Sequence, residues 1–289
     1  MPELPEVETV KEVLKTKIKG LLIEDVELYY EKMIKNVSAE EFKDRVKGQR
    51  IQDILRRGKY LIFQLEDYNL LSHLRMEGKF SYEVSGSPKR SHVHAIFKFN
   101  NGNELWYEDV RKFGTFHLYE KKINLEETPP FKVLGVEPFS DEFTSNYMKA
   151  KLENKKKPIK SLLLDQSVVC GLGNIYVDEV LFRAKVHPLT QSSKLTEKEI
   201  EDVVKYTVEV LKHAIKLKGT TIRTFSSQHG VSGSFQNELR VHQRKDEACI
   251  ECSTVIEKIK VGGRGTYFCR KCQVLKNEDE GECLNVKEH

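Results

Sequence analysis

Val7, Val10, Leu14 and Ile18 recur at three- and four-residue intervals, so one stripe of an α-helix carries all four. Gly20 follows as a stop, and the spacing predicts an amphipathic helix over residues 3–19. Beyond it the period changes. Short β-type runs rich in branched and aromatic residues follow at Ile23–Tyr29, Ile51–Leu55, Tyr60–Leu65, Leu70–Leu74, Val93–Phe99, Leu105–Tyr107 and Thr115–Tyr119. Asn100-Asn101-Gly102-Asn103 marks a hairpin turn between two of them, and a Ser38-Ala39-Glu40-Glu41 capping box opens one short helix in their midst. The pattern predicts a β-rich domain, a two-sheet sandwich, opened by a helix.

Pro129-Pro130 suits neither a helix interior nor a central strand and marks a boundary. After it the pattern turns helical, at Asp141–Lys155, Ile159–Asp165, Gly173–Ala184 and Thr196–Leu217, the last opened by Thr196 with Glu199. Residues 219–236 are rich in Gly, Ser and Thr, and a loop of that length inside a compact protein is functional or disordered. The expected division is a β-sandwich over 1–128, a helical domain with its long loop over 129–236, a finger over 237–272, and a tail over 273–289 with no assigned role. The fold class is α+β multidomain.

Composition narrows the class without deciding it. The chain has 289 residues, 39% of them hydrophobic, enough for real cores. No apolar run approaches the roughly 18 residues that span a bilayer, and the acidic start lacks the layout of a secretion signal, so a cytoplasmic protein without membrane partners is expected. A net charge of +4 permits a polyanion partner but does not demand one. Basic residues gather at Arg56, Arg57 and Lys59, at Lys155 to Lys157 with Lys160, and at Arg240, Arg244 and Lys245, although charge runs are usually solvated faces.

Four of the six cysteines carry a strong signal. Cys249 and Cys252, then Cys269 and Cys272, form two C-x2-C pairs with sixteen residues between. Two-residue spacing lets both thiolates of a pair reach one zinc ion at about 2.3 Å, and a returning hairpin completes the tetrahedron. Two disulfides would need an oxidising compartment that nothing in the sequence indicates. Four thiolates leave no open position, so one Zn2+ is expected as a structural cofactor. Between the pairs, Gly262-Gly263-Arg264-Gly265 places one cation on a bare backbone tip; Arg264 is either an exposed turn residue or a phosphate fork.

Two further stretches allow chemistry. The chain starts Met1-Pro2-Glu3-Leu4-Pro5-Glu6-Val7-Glu8, and removal of Met1 would leave a secondary amine beside Glu3 and Glu6. An α-amino group titrates near 7.7–8.0, so a useful fraction of it is a free nucleophile at physiological pH, able to form an iminium. The same residues also make a well-capped helix start, with proline in the first turn and acids at the positive end of the helix dipole. Gly171-Leu172-Gly173-Asn174 precedes a helix and suits anion binding, although glycine turns between helices also occur where no anion binds.

Taken together and in order, the N-terminal Pro2–Thr9 stretch, His73-Leu74-Arg75-Met76-Glu77-Gly78, Asp109-Val110-Arg111-Lys112-Phe113-Gly114, the Gly171–Tyr176 helix start and the four-cysteine hairpin resemble the bacterial formamidopyrimidine-DNA glycosylases, which share an architecture with endonuclease VIII. The resemblance runs from residue 2 to about 272. It implies an N-terminal β-sandwich, a helix-two-turns-helix domain and a zinc finger that together clamp double-stranded DNA containing oxidised bases. A bifunctional glycosylase and abasic-site lyase for oxidised purines such as 8-oxoguanine and formamidopyrimidines, in base-excision repair, would follow, a cytoplasmic monomer acting on the bacterial nucleoid. The resemblance implies Pro2 as nucleophile, Glu3 as acid, Glu6 as helper, and Lys59 and Arg264 at the phosphates expelled by β- and δ-elimination. It implies Met76, Arg111 and Phe113 as the residues that fill the space left by the flipped nucleotide, and His92, Lys156 and Asn174 as DNA-backbone contacts. Glu77 and the loop residues Thr220, Thr221, Ile222, Arg223 and Thr224 are implied in lesion recognition, though Ser226 to Ser234 depart from the familiar pattern. An endonuclease VIII-like enzyme for oxidised pyrimidines and a non-catalytic zinc-ribbon DNA-binding protein are the competing readings.

Overall fold

The computed structural model describes residues 1–220 and 233–275, arranged in two compact units. The first comprises residues 1–143, 165–173 and 208–238; the second comprises 144–164, 174–207 and the chain from 239 onward. Neither unit is one continuous stretch of chain.

Helix α1 (Leu4–Ile18) opens the first unit, and Val7, Val10, Leu14 and Ile18 are all buried, as their spacing requires. Two four-stranded antiparallel sheets follow. One has the order β1 (Ile23–Leu28), β6 (Val93–Phe99), β7 (Asn103–Glu108), β5 (Lys79–Val84); the other runs β2 (Asp53–Arg57), β3 (Tyr60–Gln64), β4 (Tyr68–His73), β8 (Thr115–Glu120). Strand β5 is the one the sequence pattern missed. Its alternation is present in Phe80 and Tyr82, but the buried alternate position is Ser81, whose hydroxyl donates to Glu108 at 3.0 Å, so one face reads as polar although it is covered.

The inner faces meet in one core that also takes α1 and α2 (Ala39–Val46). Phe116 sits at its centre, its ring 5.0 Å from that of Tyr107 and 6.1–6.3 Å from those of Phe42, Phe80 and Phe97. The second sheet is buried on both sides: Leu61 and Phe63 face the shared core, while Tyr60, Ile62 and Leu71 pack under Phe131. The segment around Pro129-Pro130 therefore covers a sheet face.

In the second unit, helices α3 (Ser145–Leu152), α4 (Ile159–Leu163) and α5 (Asn174–Arg183) accompany a two-stranded ribbon, β9 (Glu257–Val261) with β10 (Arg264–Phe268). Helix α6 (Glu197–Lys216) contributes residues to both units. Its start is the expected capping box: the Thr196 N–H donates to Glu199 at 2.8 Å and the Glu199 N–H to the Thr196 hydroxyl at 3.3 Å. Helix α3 is shorter than the pattern predicted, because Thr144 caps it three residues late by accepting from the Tyr147 N–H at 3.1 Å, and Asn154 with φ 57° lies just beyond its end. No helix among the described residues is long and apolar enough to cross a membrane.

Because Phe116 touches both sheets, Phe116→Ala should cost about 3–5 kcal/mol in urea unfolding. A loss below about 1 kcal/mol would mean the core can close around the missing ring.

Candidate functional site

The first turn of α1 is buried, Glu6 included, and so are its N-cap Glu3 and the preceding Pro2. Glu3 and Glu6 form a reciprocal capping box in which the Glu3 N–H donates to Glu6 Oε2 at 2.9 Å. The other oxygen of Glu6 accepts from the Thr220 N–H at 2.9 Å and the Thr220 hydroxyl at 3.1 Å. Glu6 thus ties the helix start to the chain that leads into the long loop. Thr221, Ile222, Arg223 and Thr224 lie outside the described residues.

Three glycines allow this burial. A Cβ at Gly173 would fall 2.1 Å from the Glu3 carboxyl carbon, one at Gly219 (φ 74°) would come 2.6 Å from Glu6 Oε1, and one at Gly171 (φ 92°) would meet the Leu4 side chain at 2.5 Å. The Gly171 carbonyl also accepts from the Leu4 N–H at 3.0 Å. The sequence pattern offered Gly171 and Gly173 to an approaching anion; in the fold both are consumed by the approach of α1.

Lys59 is buried in the two-residue β2–β3 turn behind Gly58, whose φ of 56° suits the first position of such a turn. The neighbouring arginines are structural rather than a solvated basic face. Arg56 pairs with Glu8 at 2.7 Å and with both oxygens of Glu137 at 2.9 and 3.0 Å; Arg57 holds Glu126 at 3.0 and 3.1 Å and reaches Cys170 Sγ at 2.8 Å. Burial, with Glu137 beside it, pushes the Cys170 thiol up to about 12, so it packs as an un-ionised side chain.

Met76 lies in the β4–β5 loop, and Arg111 and Phe113 lie in the β7–β8 loop, exposed, with the Arg111 guanidinium 4.7 Å from the Phe113 ring centre. Both loops close over the Tyr107 hydroxyl, since a Cβ at Gly78 or Gly114 would come within 2.5 or 1.5 Å of it. The carboxylate of Asp109 organises the second loop: Oδ1 accepts from the Arg111 N–H at 3.0 Å, and Oδ2 accepts from the Phe113 and Gly114 N–H groups at 2.8 and 2.7 Å. Its own N–H donates to the carbonyl of His92, which is exposed at φ 68°. Asp109 was within reach of the sequence, since an Asp side chain in a turn often accepts from the backbone N–H two residues on. In the first loop, His73 Nδ1 accepts from the Arg75 N–H at 2.9 Å. Glu77 is exposed.

In the second unit Lys156 is exposed, and Asn174 heads α5 with its amide donating to the Gly265 carbonyl at 2.9 Å. Arg264 is the exposed first residue of β10, next to a Gly262-Gly263 turn in which both φ angles are positive. The four cysteine sulfurs lie within 4.8 Å of one another, with Cys249–Cys272 at 3.9 Å and Cys252–Cys269 at 3.4 Å. Sulfurs about 2.3 Å from a tetrahedral zinc stand roughly 3.8 Å apart, so the cluster fits one ion with no further ligand, and its role is structural.

The Formamidopyrimidine-DNA glycosylase N-terminal domain family matches residues 1–116, the Formamidopyrimidine-DNA glycosylase H2TH domain family matches 134–226, and the Zinc finger found in FPG and IleRS matches 246–274. The formamidopyrimidine-DNA glycosylase of Bacillus licheniformis is 48% identical over 274 residues, covering 94% of this chain and 99% of its own; that of Oceanobacillus iheyensis is 48% identical over 277 residues, covering 96% and 99%. Among solved structures, wild-type Lactococcus lactis Fpg in complex with DNA containing N7-benzyl-Fapy-dG is similar at a TM-score of 0.87 and 43% identity, over 94% of this chain and all of that one. The same protein in complex with DNA containing an abasic site gives a TM-score of 0.87 at 44% identity, over 94% and 99%.

Two outcomes follow from the loop geometry. An amide at position 109 cannot accept on both arms, so Asp109→Asn should lose about 1.5–3 kcal/mol for each stranded N–H in urea unfolding; wild-type stability would mean the loop is held by something else. Burial and the nearby Arg75 and Lys59 charges depress His73 from 6.5 to about 3, and burial with Lys35 and Arg75 lowers His117 to about 4. Between those values and 6.5 the unfolded chain binds protons that the folded chain refuses, so stability falls as the pH drops, by up to about 1.4 kcal/mol per pH unit for His73 and less for the more exposed His117. Urea midpoints measured from about pH 7 down to about pH 5 should show a shallower slope in His73→Gln than in wild type; equal slopes would rule His73 out as the source.

Proposed function

The chain belongs to the formamidopyrimidine-DNA glycosylase family, and from that premise we propose that it excises oxidised purines from DNA and then cleaves the backbone at the abasic site it creates. The observation that carries the mechanism is the enclosed first turn of α1, where the secondary amine of a Met1-processed chain lies next to a buried carboxyl on a rigid element.

The Pro2 nitrogen attacks C1′ of the extruded nucleoside, the base leaves with the glycosidic electron pair, and Glu3 delivers a proton to the opening sugar. The resulting iminium acidifies C2′, so loss of that proton expels the 3′ phosphate, and a second elimination expels the 5′ phosphate. Extrusion costs a few kcal/mol of unstacking, which Met76 and Phe113 offset by filling the gap while Arg111 reads the estranged base. Glu6 acts through position: its oxygens hold the Glu3 N–H and Thr220, so it links the catalytic turn to the lesion loop. Lys59 serves the first departing phosphate. Arg264 stabilises the second by charge and hydrogen bonding. His92, Lys156 and Asn174 contact the DNA backbone, and Glu77 with Thr220 to Thr224 recognises the lesion. The finger's zinc supplies no chemistry to the reaction. The enzyme acts as a cytoplasmic monomer on double-stranded DNA, since one set of these groups completes the reaction.

Borohydride reduction tests the covalent step. Chain lacking Met1, mixed with a duplex carrying 8-oxoguanine opposite cytosine, should be trapped on the DNA; Pro2→Gly should abolish the cross-link, and chain retaining Met1 should give none because its Pro2 nitrogen is an amide. No cross-link with the processed wild-type chain would overturn the mechanism. Faster excision of oxidised pyrimidines than of oxidised purines would move the enzyme to the endonuclease VIII-like class.

A further inference from the structure

The second unit buries a lysine completely. Lys160, in α4, and Asp178, in α5, have no exposed side-chain surface, and their charged atoms lie 2.6 Å apart. The ammonium also donates to the Gly265 carbonyl at 3.2 Å. The second Asp178 oxygen stands 2.7 Å from His242 Nδ1 and accepts from the Tyr267 N–H at 3.3 Å. One residue on, the buried Glu179 carboxylate accepts from the N–H groups of Arg240, Val241 and His242 at 2.9, 3.0 and 2.9 Å.

Such a pair is a poor way to gain stability, because apolar side chains would fill the same space without the desolvation cost. What it supplies is direction. The bonds from Lys160 and Asp178 end on the backbone of β10 at Gly265 and Tyr267, and β10 begins with Arg264. The zinc cannot do this work from its end of the ribbon. Cys269 lies five positions beyond Arg264, a span of roughly 17 Å along the strand, and an isolated two-stranded ribbon is marginally stable in water.

We propose that Lys160, Asp178 and His242 are positioning residues that fix the start of β10, and with it Arg264, on helix α5. The catalytic consequence rests on the reading of Arg264 given above; the positioning itself does not.

Amide hydrogen exchange over residues 262–266 of the full zinc-loaded chain is the direct measurement. Asp178→Asn strands a buried ammonium and is at risk of misfolding, so the deciding variant is the Lys160→Met/Asp178→Asn double, which removes both charges together. Exchange over 262–266 should quicken by about tenfold or more while β3 and β4 keep wild-type protection and one zinc per chain is retained. His242→Phe, which keeps a ring against Tyr267 but loses Nδ1, should move exchange in the same direction. On an abasic-site duplex the ratio of δ- to β-elimination product should fall toward that of Arg264→Ala, with borohydride trapping through Pro2 within about twofold of wild type. Unchanged exchange in the zinc-loaded double variant overturns the proposal, and so does loss of the zinc from that variant, since the cluster would then hold up the whole finger. Faster exchange with an unchanged product ratio supports the positioning and instead removes Arg264 from the δ-elimination step.

Discussion

Two carboxylates buried in one helical turn impose the main constraint on the first unit. An ionised carboxylate taken out of water costs several kcal/mol unless hydrogen bonds replace its hydration. Glu6 gains such bonds partly from within the turn, from the Glu3 N–H, and partly from Thr220, more than two hundred residues away. The need for close approach then dictates glycine at 171, 173 and 219, where any side chain would collide with Glu3, Leu4 or Glu6. Pro2, Glu3 and the segment at Gly219 and Thr220 are therefore parts of one packing solution.

The same device recurs in other described segments, where a carboxylate collects backbone N–H groups. Asp109 gathers three backbone N–H groups beneath Arg111 and Phe113, and Glu179 gathers three at the entrance to the finger. Glu137 joins Arg56 and Arg57 and accepts from the Gly58 N–H in the turn that carries Lys59. A carboxylate has about four acceptor sites and no donor, so it can order several loop amides at once while leaving the exposed side chains free to meet a ligand. Acids thus organise a protein whose proposed partner is an anion, which is consistent with its nearly balanced charge.

Much of this was legible in the chain. The α1 stripe, the hairpin at Asn100–Asn103, the α6 capping box and the zinc cysteines all rest on contacts within a few residues or on a spacing that one ion imposes. Where the local signal misled, a distant group had taken over. Strand β5 was hidden because Ser81 is satisfied by Glu108 across the sheet, and the Arg56–Arg57 run looked like a solvated face because its partners Glu126 and Glu137 lie some seventy to eighty residues away.

The sequence by itself determined the helix and strand periods, the metal set and, through ordered motifs, the family. Periodicity and ligand spacing are local quantities, written in neighbouring residues. Only the tertiary structure decided what the glycines at 171, 173 and 219 are for, which arginines are spent on structure, and that Asp109, Glu6 and the Lys160–Asp178 pair act through backbone amides. Burial is a property of the folded chain as a whole, and it turns an ordinary acid or lysine into one that must find its partner wherever the fold brings it.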